Sequence, residues 1–266
     1  TYTYSVGKQA ANAFPLGFGI TEESNTDSVA AKLVKRVITG NKAHFDTGIL
    51  GTPLLLDVLT DLGRIDVAYT LMNQRDYPSF GNMIEKGATT IWETWLGDAS
   101  HSHPMFGSVC AWFYQSLGGI SPDPEHPGFK NILIRPIPVS ALSYVNCSYP
   151  SAYGTISSNW KLNGADYQLD VVVPANSTAT VYVLAQDEAS VLLNGNSVSG
   201  NKYVKFLRTE GQYAVFSVAS GRYQFTSAGA GKMLQKSILP APMIHPRDTL
   251  VNHTDTILIK IGSDVP

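Results

Sequence analysis

SPDPEHPGF, residues 121–129, separates two different periodicities. Its three prolines and one glycine interrupt any helix or strand, and the residue pattern changes on either side of it. Upstream, apolar residues recur at helical spacing. Thr26 can cap a helix whose apolar positions are Val29, Leu33, Val34, Val37 and Ile38, with Gly40 as its stop. Thr52-Pro53 offers a cap and an N1 proline, followed by Leu54, Leu55, Val58, Leu59 and Leu62 and a stop at Gly63. Residues 64–73 predict a third helix burying Ala68, Leu71 and Met72, and VGKQAANAF (residues 6–14) predicts another. MFGSVCAWFYQSLGG (105–119) sets Phe106, Val109, Cys110, Phe113 and Leu117 on one face before a glycine pair. Short connections make such helices antiparallel neighbours.

Downstream, β-branched and aromatic residues come in short runs: NILIRPI, LSYVNCSY, GTISSNWKL, DYQLDVVV, TATVYVLA, YAVFSV and GRYQFTS. LNGAD, PANS, LNGNS and ASG separate them as turns, which predicts an antiparallel sandwich. The expected organisation is a helical region over residues 1–118, a β-sandwich over 119–228 and a tail of undefined order over 229–266, with a possible strand at TILIKI. The helical stripes cover one face of a bundle without enclosing a centre, so a further helical segment is expected upstream.

Bulk properties exclude several classes of function. With 19 Lys+Arg against 21 Asp+Glu, the net charge of −2 lacks the cationic excess of a dedicated nucleic-acid binder. Apolar residues make up 44% and charged residues 15%, enough for a core and too few charges for extended disorder. No apolar run is long enough to span a bilayer, and TYTYSVGKQAANAF has no signal-peptide pattern, so the compartment is not readable. Cys110 and Cys147 are expected to be small buried residues without a disulfide. Three glycosylation patterns, at Asn146, Asn176 and Asn252, carry meaning only in a secretory host.

The densest chemistry lies in GATTIWETWLGDASHSHP, residues 87–104. Glu93 between Trp92 and Trp95 admits three readings. It can be a core carboxylate paired with an arginine or lysine. It can be one of the two carboxyl groups of an inverting glycosidase, beside tryptophans that pack on sugar rings. It can also join Asp98, His101 and His103 around a metal, although no third nitrogen ligand is evident and Pro104 follows at once. No metal and no cofactor is expected. His103, at the mouth of an aromatic-rich helix, is placed to hydrogen-bond a ligand hydroxyl, and His101 reads as an exposed loop histidine.

The ordered segments TGILGTP, YPSFGNMI, GATTIWETW and HPMFGSV, within a match running from about Gln9 to Pro136, resemble the bacterial-type α-L-rhamnosidases of glycoside hydrolase family 78. The resemblance implies an (α/α)6 barrel, here only its C-terminal part, followed by a β-sandwich. It also implies inverting hydrolysis of terminal α-L-rhamnosyl residues from rhamnose-containing glycosides or polysaccharides. By motif position Glu93 is the general base, His103 contacts rhamnose, and Trp92 and Trp95 shape the pocket. Phe80 stands where the family often has tryptophan, which keeps an aromatic face and removes a donor. The family's general acid lies in an upstream segment with no counterpart here. Asp46, Glu85 and Asp98 do not match it, so the chain alone is expected to be nearly inactive. Two other readings stay open. One is a carbohydrate-binding or structural module using Tyr149, Tyr153, Trp160, Tyr167 and Tyr182 as a platform. The other is part of a different (α/α)6 glycosidase.

Overall fold

A computed structural model describes residues 2–234 and 259–262, and among these residues contacts cluster into two compact units that divide between Trp112 and Phe113. The first unit is helical. Its elements are α1 (Gln9–Gly17), α2 (Glu23–Lys35), α3 (Gly51–Asp61), α4 (Ile65–Met72), α5 (Phe80–Glu85), α6 (Pro104–Gly107) and α7 (Cys110–Trp112). Ala13 from α1, Val29 and Leu33 from α2, Leu55, Leu56 and Leu59 from α3, and Ala68 and Leu71 from α4 are fully buried. Burying each leucine contributes about 1.5–3 kcal/mol. Gly17 lets α1 approach α3 closely, because a Cβ there would fall 2.7 Å from Leu54 Cδ1. No helix among the described residues is long and apolar enough to cross a membrane.

Two helix starts differ from expectation. The second helix begins at Glu23, a turn before Thr26 would cap it, and the Thr26 hydroxyl instead donates to the Glu22 carbonyl at 3.2 Å. Glu22 and Glu23 put negative charge at the positive end of the helix dipole, which favours the earlier start. The helix then widens into a π turn over Arg36–Gly40 and ends at the expected glycine. In α3 the helix begins before Pro53, and Thr52 is not a cap. Its hydroxyl bonds the Thr47 hydroxyl at 2.7 Å and donates to the Gly48 carbonyl at 3.0 Å. The expected 105–119 helix is broken into α6, α7 and a π turn over Phe113–Leu117.

The second unit is built from β1 (Ile120–Pro122), β2 (Asn131–Ile134), β3 (Tyr144–Ser151), β4 (Gly154–Asn163), β5 (Asp166–Val173) and β6 (Thr178–Leu184). It continues through β7 (Val191–Leu193), β8 (Asn196–Ser197), β9 (Val204–Glu210), β10 (Tyr213–Val218), β11 (Gly221–Ser227) and β12 (Ile259–Gly262). One sheet has the order β1-β2-β6-β10-β9 and the other β12-β3-β4-β5-β11-β7-β8. Their inner faces meet, as Phe216 of β10 against Phe225 of β11 at 5.7 Å shows. Pairing is antiparallel except between β2 and β6, which run parallel. SPDPEHPGF lies inside this unit, where it turns β1 into β2. Asn131 and His126 donate to the Asp123 carboxylate there and hold its pKa down at about 2.

Several β-region expectations change. Trp160, Tyr167 and Tyr182 expose 1%, 1% and 8% of their surfaces, so they fill the core and offer no flat sugar platform. Cys147 is buried, which pushes its thiol up to about 12, whereas Cys110 in the helical unit is exposed. The 229–266 tail lies largely outside the described residues, apart from a short turn at Ala230–Met233 and β12, which pairs with β3. Asn252 lies outside them as well.

Candidate active site

Residues 91–103 form an irregular hairpin. The Glu93 N–H donates to the Ser100 carbonyl and the His103 N–H to the Ile91 carbonyl, both at 2.9 Å. The tip turns at Thr94–Gly97, where Gly97 adopts φ +75° and its N–H reaches both the carbonyl and the hydroxyl oxygen of Thr94. The Thr94 hydroxyl donates to Asp98 Oδ1 at 2.6 Å, and the Thr90 hydroxyl donates to the His101 carbonyl. Each of these bonds fixes the backbone on either side of Glu93.

Glu93 itself is half-buried. Its Oε2 accepts the Ser100 N–H at 3.3 Å, and among the described residues it has no cationic partner. The reading as a core glutamate in a salt bridge therefore finds no arginine or lysine to complete it. The three other carboxylates considered from sequence are committed. Asp46 accepts from Arg36 at 3.1 Å and from the Gln9 N–H at the start of α1, also at 3.1 Å. Glu85 pairs with Arg75, and Asp98 accepts from Thr94.

The two tryptophans differ from each other. Trp92 is 7% exposed and packs with Met83 and Phe106. His101 lies over its indole at 4.6 Å and 17°, while its Nε2 donates to the Gly97 carbonyl at 2.8 Å. His101 is the exposed loop histidine expected, and it also covers Trp92, which nothing in the sequence beyond its nearness announced. Trp95 donates from Nε1 to the Thr47 carbonyl at 2.7 Å and stacks on Phe45 at 5.2 Å. Phe80 meets Trp95 edge-on at 5.1 Å and Phe106 at 5.8 Å, so it forms a wall behind the hairpin.

His103 follows at the entry to α6. Its Nδ1 is buried and has no hydrogen-bond partner among the described residues. Among the described residues no group of three or more His, Cys, Asp or Glu side chains converges to hold a metal. The structure thus gathers Glu93, Trp92, Trp95, Phe80 and His103 around one hairpin, and adds Ser100, His101 and Thr47 as its supports.

Residues 1–117 match the family described as the bacterial α-L-rhamnosidase six-hairpin glycosidase domain, and residues 119–197 match the bacterial α-L-rhamnosidase C-terminal domain. An α-L-rhamnosidase of Streptomyces avermitilis is 34% identical over 241 residues, covering 85% of this chain and 22% of that protein. One of Formosa agariphila is 30% identical over 228 residues, covering 82% of this chain and 24% of its own. Among solved structures, the Streptomyces avermitilis enzyme complexed with L-rhamnose aligns with TM-score 0.73 at 34% identity, over 83% of this chain and 21% of that one. The α-L-rhamnosidase from Dictyoglumus thermophilum aligns with TM-score 0.75 at 36% identity, over 83% and 25%. The chain spans about a fifth to a quarter of the length of these proteins.

Proposed function

The chain belongs to the bacterial α-L-rhamnosidase family, and from that membership we propose that it carries the water-activating side of a site that hydrolyses terminal α-L-rhamnosyl residues with inversion. In this reading Glu93 takes a proton from water as the water oxygen attacks the anomeric carbon. The glycosidic C–O bond breaks, and its electron pair leaves on the aglycone oxygen. The observation that carries the assignment is the state of the Glu93 carboxylate. It is held by one backbone N–H and is not neutralised by a cation among the described residues. A salt bridge would stabilise the ionised form and weaken it as a base. The Ser100 N–H fixes one oxygen and leaves the other for water. His103 hydrogen-bonds a sugar hydroxyl, while Trp92, Trp95 and Phe80 pack behind the hairpin and shape the pocket from there.

Inversion requires a second carboxyl group about 6.5–9.5 Å from the first, so that water fits between substrate and base. Asp46 and Glu85 are ion-paired, Asp98 does not match the family's acid, and the chain spans about a fifth to a quarter of its relatives, which together support an acid supplied from outside these 266 residues. The helical unit is then the C-terminal part of an (α/α)6 barrel that other sequence completes. Phe18, Ile20 and Leu96 support this, since they expose 64%, 69% and 60% of their surfaces, apolar area that a completed barrel would cover. Without protonation of the leaving oxygen the rate falls by two to four orders of magnitude, about 3–5 kcal/mol in the barrier. The purified chain is accordingly expected to release only traces of rhamnose from an aryl rhamnoside. The Streptomyces avermitilis relative with its matched segment replaced by this chain is expected to release rhamnose, with the β-anomer appearing first by NMR. Robust release by the chain alone, or the α-anomer first from the hybrid, contradicts the proposal.

A further inference from the structure

The outward face of the seven-stranded sheet carries unspent hydrogen-bonding groups that hydrolysis does not use. Register sets Asn146, Asn159, Asp170 and Gln224 in one row across β3, β4, β5 and β11, with Tyr144, Lys161 and Gln168 in the next. The alternate residues Val145, Trp160, Leu169 and Phe225 are at most 1% exposed and fill the core. A cavity of about 270 Å³ lies over the polar rows, lined by Tyr144, Asn146, Asn159, Lys161, Asn163 and Asp170.

The chemistry of this cavity is specific. Asp170 accepts one hydrogen on each carboxylate oxygen, from Gln168 Nε2 at 2.8 Å and Gln224 Nε2 at 2.9 Å. It makes no ion pair among the described residues, and each oxygen keeps a free lone pair. The Asn159 carbonyl oxygen is taken by the Cys147 N–H at 3.0 Å, which leaves its amide hydrogens to donate. Asn146 and Asn163 make no side-chain hydrogen bond among the described residues. Carboxylate acceptors beside amide donors are what neighbouring hydroxyls satisfy, since each hydroxyl gives one hydrogen and accepts another. Within the described lining Lys161 offsets Asp170, while the register sets Lys260 of β12 opposite Asn146 at the edge of the row. A carboxylate among the acceptors suits an uncharged, hydroxyl-bearing ligand better than an anion. The volume is below the roughly 300–1,000 Å³ of clefts that take drug-sized ligands, which suits one ring rather than a chain.

A larger cavity of about 460 Å³, near His126, Lys130 and Asn176, lacks this property. Lys130 Nζ already donates to the Asn176 carbonyl at 2.6 Å, Asn131 donates to Asp123 at 2.7 Å, and Thr178 donates to Asn131 at 3.0 Å.

We propose that the outward sheet face binds a single neutral pyranose ring, with Asp170 accepting from its hydroxyls, Asn159 and Asn146 donating to them, and Tyr144 at the rim. The inference rests on the rhamnosidase reading only in taking the ring to be a sugar. The test is a titration of the isotopically labelled 266-residue chain, followed by amide chemical shifts, with L-rhamnose, D-galactose and, as an anionic control, D-glucuronate. At least one neutral sugar is expected to give saturable shifts at residues 144–146, 159–163 and 168–170, with glucuronate binding more weakly. Asp170→Asn, which keeps size, is expected to weaken binding at least about tenfold through the loss of a charge-assisted hydrogen bond. Asn146→Ala weakens it several-fold, and decides the matter if the first variant misfolds. No shift on this face with any neutral sugar, or unchanged affinity in a folded variant, overturns the proposal. The readout is binding and needs no turnover, so it fails or succeeds independently of Glu93.

Discussion

Replacing Trp95 with phenylalanine separates structural support from sugar contact. The indole N–H donates to the Thr47 carbonyl at 2.7 Å, and Thr47 is only 3% exposed. Phenylalanine keeps a ring within the cage of Phe45, Phe80 and Phe106 but leaves that carbonyl without its donor. An orphaned buried acceptor costs about 1–3 kcal/mol, and the lost five-membered ring adds about 1 kcal/mol of apolar burial. Trp95→Phe should therefore destabilise the helical unit by about 2–4 kcal/mol. Trp95→Ala also forfeits three ring contacts at about 0.5–1.5 kcal/mol each and leaves a cavity. Urea unfolding followed by the helical circular-dichroism signal measures this. With a slope of about 2 kcal/mol per molar urea, the phenylalanine variant shifts its midpoint by about 1–2 M. In the active hybrid, inhibition by free L-rhamnose should stay unchanged. An unshifted midpoint together with tenfold weaker inhibition would refute the reasoning and make Trp95 a sugar contact.

Three further outcomes follow from the geometry. A thiol reagent should titrate Cys110 alone in the native chain, more slowly than a free thiol because partial burial raises its pKa too, and Cys147 only after unfolding, because burial holds the Cys147 thiol protonated to about 12. Gly119→Ala should destabilise the β unit by at least about 2 kcal/mol in chemical denaturation, since φ is +75° and a Cβ would fall 2.0 Å from Pro136 N. Asp123 has a folded pKa lowered to about 2, so its stabilising effect is complete above the unfolded value of 3.8 and is lost as pH falls through about 2. Asp123→Asn should consequently flatten the acid-unfolding curve in that window and leave stability near pH 2 unchanged.

Much of the fold was readable because local patterns agree with it. Leu55, Val58 and Leu59 repeat at helical spacing and are buried, and Gly63 stops the chain with φ +70°. Strand β5 alternates buried and half-buried along its length, as one face packed and one face solvated require. Long-range commitments were not readable. Trp95 and Thr47 stand 48 positions apart, and Asp46 and Gln9 stand 37 apart. The parallel pairing of β2 with β6 and the pairing of β12 with β3 likewise leave no local mark. In the candidate site the motif gave the residues together, but composition could not say that His101 covers Trp92 or that Glu93 has no cationic partner among the described residues. Of the β-region aromatics, Trp160, Tyr167 and Tyr182 went to the core while Tyr153 stays exposed, because large rings serve a sandwich core as well as they serve a sugar platform.

The most direct test of Glu93 as the base compares Glu93 and Glu93→Gln in the active hybrid, across aryl rhamnosides of rising leaving-group ability. Losing the base should lower kcat by two to four orders of magnitude for every aglycone, while circular dichroism and L-rhamnose affinity stay as in the parent. Activity that survives the substitution, or a loss confined to poor leaving groups as removal of an acid would give, would contradict the assignment.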